Sequence, residues 1–256
     1  MINFIGIIPA RYASTRFPGK PLADMSGKTM IQRVYEQVSK VLETVYVATD
    51  DERIEKTVKL FGGKVVMTSP DHKSGTDRCF EAYSKVGKGY DVVINIQGDE
   101  PFIHPDQIET LQACFTDRNI QIATLVKPFK KDDDFEEILF NPNSPKVVLN
   151  KNNEAMYFSR SVIPYVRGKQ HTEWLASQTF YKHIGLYAYR ADVLKEITIL
   201  PQSPLEIAES LEQLRWLENG YKIKTGTTNR ETIGIDTPED MQKALEFLKT
   251  VKSVTL

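Results

Sequence analysis

No run of the 256-residue chain approaches the roughly 20 consecutive apolar residues that span a bilayer, so an embedded helix is not expected. The amino end also lacks the basic, apolar and small-residue succession of a secretory signal, and a cytoplasmic protein is expected. Cysteine is scarce: Cys79 and Cys114 have no CxxC spacing, fall in stretches that read as helices, and are expected to stay reduced with no disulfide between them. The four histidines, His72, His104, His171 and His183, lack zinc-ligand spacing. Neither sign of charge prevails, since 33 Lys and Arg face 34 Asp and Glu, and this gives no ground for nucleic acid or anionic membrane as a partner. Two phosphate-loop signatures are missing as well, G-x-x-x-x-G-K-[ST] and G-x-G-x-x-G, which sets aside P-loop NTPases and NAD-type dehydrogenases. There is no internal repeat and no low-complexity tract.

What the chain does have is concentrated at its amino end. Phe4 to Ile8 is a short apolar run that reads as a buried strand of a parallel sheet. It breaks at Pro9 into a loop holding Arg11, Arg16 and Lys20, separated by small residues, Pro18, Pro21 and Gly19. In an open α/β sheet ligands bind beyond the carboxyl ends of the strands. Three cations on a stiffened loop at that place suit a polyanion, triphosphate first among them. Loop cations often do no more than solvate a surface, but the small residues between these let the backbone itself approach a ligand.

The rest of the first half alternates strands and helices. Thr29 to Val41 has helical spacing, Val45 to Ala48 is a strand, and Thr49-Asp50-Asp51-Glu52 has the form of a capping box. Lys64 to Thr68 is a third strand. Ser74-Gly75-Thr76-Asp77-Arg78 opens another helix, where Ser74 either caps or, with the free amides and Arg78, meets a nucleotide's polar groups. Asp91 to Ile96 delivers Gln97-Gly98-Asp99-Glu100-Pro101 into the crevice, and a carboxylate there suits a hard cation. The next helix starts near Pro105, too far on for Asp99 to cap.

From Lys127 to Arg190 the alternation breaks. Asp132-Asp133-Asp134 reads as a solvated helix start, Lys146 to Asn150 and Ala155 to Phe158 as a hairpin, and His183 to Arg190 as a strand. A subdomain spanning about 127–190, inserted in a single domain of 256 residues, is expected to cover the crevice, to pair with a second subunit, or both. Ser203-Pro204-Leu205-Glu206 opens a helix to Gly220 with an apolar stripe of Ile207, Leu211, Leu214 and Leu217. Glu209, Glu212, Gln213 and Trp216 share another face, either surface or aimed at a ligand's hydroxyls. Thr232 to Ile235 reads as a strand ending in Asp236. Thr237 takes the cap of the last helix, which leaves Asp236 free at a strand end, as Asp99 is. Two such acids could meet across one metal ion.

Taken together, Ile7 to Arg16 with Pro18-Gly19-Lys20-Pro21-Leu22, Val47-Ala48-Thr49-Asp50, Ser74 to Arg78 and Gln97 to Pro101 closely resemble the 3-deoxy-manno-octulosonate cytidylyltransferases. The likeness continues in Lys146-Val147-Val148, Tyr157-Phe158-Ser159-Arg160, His183 to Tyr187, Leu211 to Arg215 and Asp236 to Asp240, so it covers nearly the whole chain. The amino-terminal loop alone points only to the wider sugar nucleotidyltransferases. Asp77 stands where Glu is common in the family, and Arg167 to Phe180 follows no family pattern. The resemblance implies an α/β, Rossmann-like three-layer sandwich of the nucleotide-diphospho-sugar transferase type, with a mostly parallel central sheet and an inserted dimerisation or lid subdomain. It implies CTP and the sugar acid Kdo as substrates, CMP-Kdo and pyrophosphate as products, Mg²⁺ as cofactor, and a cytoplasmic homodimer serving lipopolysaccharide or capsule synthesis. By matching motif, Arg11 and Lys20 would hold the triphosphate, beside Arg16 that the reading of the loop itself adds to the nucleotide-binding set, and Ser74, Arg78 and Gln97 would lie around the cytidine. Asp99 and Asp236 would bind magnesium, making Arg11, Lys20, Asp99 and Asp236 the catalytic set. Arg160, His183, Tyr187, Glu212 and Gln213 would face the sugar acid. Related sugar acids, transfer from a nucleotide-sugar donor, and a silent nucleotide-binding module are the alternatives.

Overall fold

The structure, a computed structural model, describes residues 2–254 apart from Ser14, Thr15, Lys88, Asp132, Asp134, Thr232 and Ile233, with backbone alone at 135, 136 and 250–254. The chain falls into two units, Met1–Ile108 with Thr232–Leu256, and Glu109–Glu231.

In the first unit, β1 (Phe4–Ala10), β2 (Val45–Thr49), β3 (Val65–Met67) and β4 (Val92–Asn95) pair in the order β3-β2-β1-β4, all parallel. Ile5, Ile7 and Ile8 are fully buried, which is why β1 reads as an unbroken apolar run rather than an alternating one. The strand does not break at Pro9. Pro9 and Ala10 stay in register with Ala48 and Thr49, because proline removes a donor yet keeps a φ that extended chain accepts. Helix α1 (Met30–Val38) is capped by Thr29 and buries Met30, Ile31, Val34 and Val38. Helix α2 (Glu52–Leu60) is capped by Asp51, whose carboxylate accepts from the Arg53 amide at 2.9 Å, and not by Thr49. Thr49 is held in the sheet, paired with Ala10 and Met67, so it is not free to turn into a helix. At α3 (Gly75–Val86) the capping box forms in both directions between Ser74 and Asp77. Helix α4 (Pro105–Ala113) follows.

The second unit changes character. β5 (Ile122–Pro128), β6 (Lys146–Leu149), β7 (Ala155–Ser159), β8 (Tyr181–Arg190) and β9 (Ile223–Thr227) include antiparallel pairs β5–β8, β6–β7 and β6–β8 beside the parallel pair β5–β9. The expected hairpin is β6–β7. Of the acidic run, Asp132 and Asp134 lie outside the described residues, and Asp133 accepts from the Lys130 amide at 2.8 Å, closing a turn. Short α5 (Trp174–Ser177) and α6 (Ala191–Thr198) precede the stretch that periodicity assigns to one helix. That stretch is two helices, α7 (Pro204–Glu209) and α8 (Gln213–Glu218), parted where Ser210 takes a left-handed conformation at φ 51°. Ile207 is consequently 65% exposed and no part of a core stripe. The break lets Arg215 reach back to Glu206 in a buried bidentate pair of 2.6 and 2.8 Å.

The carboxy-terminal helix α9 (Pro238–Val254) belongs to the first unit. In the segment before it, Thr232 and Ile233 lie outside the described residues, and Gly234 and Ile235 are not strand. Ile235 is instead a core residue, fully buried with Met25, Met30, Met241 and Ala244. Both cysteines are free thiols. Among the described residues no helix is long and apolar enough to cross a membrane.

Candidate active site

The carboxyl ends of β1 and β4, with the loop leading into α3, open on a cleft of about 470 Å³ in the first unit. Arg11, Arg16, Lys20, Ser74, Arg78, Gln97, Asp99 and Asp236 all line it. These are all the first-unit residues that the sequence singled out, and each arrives by a local device.

Gln97, Gly98 and Asp99 follow β4. A Cβ on Gly98 would lie 2.8 Å from the Pro9 carbonyl oxygen, so only glycine lets this turn pass so close under β1. The Asp99 carbonyl then accepts from the amide of Ile235 at 3.0 Å. With Ile235 anchored in the core, its neighbour Asp236 is delivered beside Asp99. Capping of α9 is settled without Asp236. Thr237 Oγ1 accepts from the Asp240 amide at 3.1 Å, and Asp240 Oδ2 accepts from the amides of Asp236 and Thr237.

The freed carboxylates converge on one ammonium. Lys20 Nζ donates to Asp99 Oδ2 at 2.7 Å and to Asp236 Oδ1 at 3.2 Å, while Arg16 pairs with Asp236 Oδ2 at 3.2 Å. Lys20 is placed by a short turn after Gly19, which sits at φ 71°, and the Gly19 amide bonds back to the Tyr12 carbonyl at 2.9 Å. The Tyr12 ring lies against Gly19, and the Arg53 guanidinium stacks on that ring at 3.2 Å from its centroid. Arg53 in turn forks onto Asp51, the cap of α2. Sequence reasoning missed this stack, and its signal is no more than the glycine at a left-handed position.

Ser74 caps α3 and lines the cleft at once. Arg78 is buried and partly committed: it donates to Thr68 Oγ1 at 2.6 Å and lies 3.4 Å from Asp50 Oδ2. Among the described residues no three His, Cys, Asp or Glu side chains converge as a metal cage. Two carboxylates in an open cleft are a different donor set. It fits Mg²⁺, which takes one or two protein carboxylates and completes its shell with water and phosphate oxygens.

The five residues expected around the sugar acid all lie in the second unit. His183 and Tyr187 on β8 are brought together, 5.3 Å between ring centroids, by an irregularity at which Thr124 pairs with Tyr187 but Leu125 with Ile184. Burial pushes the His183 ring down to about 3, so it is neutral. Thr124 Oγ1 donates to a carbonyl, at 2.9 Å from Leu186, and offers a lone pair to His183 Nε2 at 3.1 Å. Burial raises the Tyr187 phenol well above its ordinary value, with Glu212 adding to the effect. Gln213 is buried, and Glu212 lies 3.5 Å from Arg215. Arg160 is used differently from a simple anion ligand. Its guanidinium donates to the carbonyls of Glu209, Pro142 and Ser210, while the Glu209 carboxylate takes the Arg160 amide and the Ser159 hydroxyl. The sequence put Glu209 on a face that is either surface or aimed at a ligand's hydroxyls, not at Arg160 and Ser159, and gave the fully buried Lys146 no role. Lys146 Nζ donates to the Asn141 carbonyl at 3.0 Å, and burial lowers it to about 8.

A cytidylyltransferase family profile matches residues 5–223. The chain is 79% identical over 248 residues to a 3-deoxy-manno-octulosonate cytidylyltransferase of Parabacteroides distasonis, covering 97% of this chain and 99% of that one. It is 69% identical over 248 residues to one of Bacteroides thetaiotaomicron, with the same 97% and 99% coverage. Among solved structures it is similar to a CMP:2-keto-3-deoxy-manno-octonic acid synthetase complexed with CTP, at TM-score 0.87 and 44% identity over 97% of this chain and 99% of that one. A 4-diphosphocytidyl-2C-methyl-D-erythritol synthase from Anaerococcus prevotii shares the α/β fold alone, at TM-score 0.61 and 14% identity over 96% of this chain and 99% of that one. The chain belongs to the 3-deoxy-manno-octulosonate cytidylyltransferase family.

Proposed function

We propose that this protein transfers a cytidylyl group from CTP to the anomeric hydroxyl of 3-deoxy-D-manno-octulosonate, giving CMP-Kdo and pyrophosphate. The observation that carries the reading is the meeting of Asp99 and Asp236 at Lys20 in a cleft that Arg11 and Arg16 also line. In the reaction the sugar oxygen attacks the α-phosphorus, the bond from that phosphorus to the pyrophosphate oxygen breaks, and the hydroxyl proton leaves. Arg11, Arg16 and Lys20 offset the charge that accumulates on the departing pyrophosphate. The capped start of α3, with Ser74, and Gln97 at the end of β4 address the cytidine. Positioning and charge stabilisation are most of what such a transfer asks of a protein. Asp99 and Asp236 would hold Mg²⁺, which would supply positive charge against the triphosphate and would acidify a hydroxyl bound to it.

For the sugar acid, the Tyr187 hydroxyl and the Gln213 amide supply donors and the Glu212 carboxylate an acceptor, while His183, its Nε2–H held by Thr124, has only the Nδ1 lone pair left to offer. Arg160 acts through its long-range charge and by fixing the Pro142 and Ser210 turns. A homodimer working in the cytoplasm, with a product destined for lipopolysaccharide or capsule, completes the proposal. Pyrophosphate release from CTP with Mg²⁺ and a panel of keto-deoxy sugar acids is the test. Turnover is expected with Kdo and to fall at least about a hundredfold in Asp99→Asn and Asp236→Asn. Preference for a sialic acid, or consumption of a CMP-sugar without pyrophosphate release, would replace this reading.

A further inference from the structure

Lys20 Nζ stands where the two acids aim, 2.7 Å from Asp99 Oδ2 and 3.2 Å from Asp236 Oδ1. A divalent ion drawn to the same carboxylates needs that point, because Mg²⁺ sits about 2.0–2.1 Å from its oxygen ligands. Two cations cannot share it. The Lys20 side chain is only 13% exposed, and the Gly19 turn fixes where it starts, so it does not simply swing out into water. To leave the acids it needs another anion, and the cations lining the cleft draw in a polyphosphate. We propose that Lys20 is an internal counter-ion that keeps divalent metal off the Asp99–Asp236 pair until a nucleotide's triphosphate takes over its ammonium. Metal and nucleotide then bind as an interdependent pair. This rests on the reading of Asp99 and Asp236 as the metal-holding residues. By linkage, whatever factor the triphosphate adds to metal affinity, the metal adds to triphosphate affinity. Arg16 contributes less to the exclusion, since its side chain is 67% exposed and water screens it.

The test is Mn²⁺ titration into the protein without nucleotide, with free Mn²⁺ followed by electron paramagnetic resonance. Wild type is compared with Lys20→Met, Lys20→Gln and Arg11→Met, the last removing a cleft charge that has no ion pair with either acid. Both Lys20 variants are expected to bind Mn²⁺ about tenfold more tightly than wild type, and Arg11→Met to stay within about threefold. Adding Asp99→Asn to Lys20→Met is expected to abolish the gain. Lys20 variants that bind no more tightly than wild type overturn the counter-ion role, and binding that still depends on Asp99 leaves the metal reading standing. Binding that is absent from every form, or indifferent to Asp99→Asn, overturns the metal reading itself.

Discussion

Gly98 has space on its α-carbon for hydrogen and nothing larger, since a methyl group there would meet the Pro9 carbonyl at 2.8 Å. Backbone, unlike a side-chain tip, cannot rotate out of the way. Gly98→Ala is therefore expected to cost about 1–3 kcal/mol of stability, as overpacking does. The larger effect falls on turnover, because the residue that shifts next is Asp99. A displacement near 1 Å in a reacting geometry can cost about a hundredfold. Denaturant titration beside kcat/KM measures both, and a variant that keeps wild-type turnover removes the argument for close approach at this turn.

At the scale of elements, the pairing irregularity between β5 and β8 buries His183 as a neutral ring. Its folded value, about 3, lies below the ordinary value of about 6.5 that an unfolded chain shows. The unfolded state thus takes up the proton first as pH falls. Stability from this group is complete above about pH 6.5 and is lost toward about pH 3, by about 1.4 kcal/mol per pH unit. His183→Gln is expected to flatten the fall in Tm between pH 6.5 and 5, and a slope equal to wild type's would contradict burial of the neutral ring. What could be read from the chain at this scale followed from locality. Ser74 with Asp77 and Ser203 with Glu206 were legible because a capping box needs only four residues and no partner elsewhere. Thr49 has the same pattern and failed, because its strand neighbours claim it first. The left-handed turn at Ser210 was not legible, since periodicity carries no record of a single φ. The acids at 99 and 236 could be suspected from their places after strand-like runs. Their meeting at Lys20 depends on the buried amide of Ile235, which sequence spacing does not express.

Over the whole molecule, opposite charges nearly cancel, so the cationic arm acts by placement rather than by excess. Its placement depends on a single tyrosine ring packed between Gly19 and the guanidinium of Arg53, which also braces the cap of α2. One arginine therefore couples the cationic arm to the end of a helix. Trypsin offers a readout of that coupling: the bonds after Arg11 and Arg16 are cleavable, whereas the one after Lys20 precedes a proline and resists. Arg53→Ala is expected to quicken nicking at those two bonds severalfold, the arm's local opening having become easier. Resistance equal to wild type's would show that the arm keeps its own shape. If the nicking does quicken, a residue that does not itself line the cleft will prove to govern how long the amino-terminal arm survives a protease.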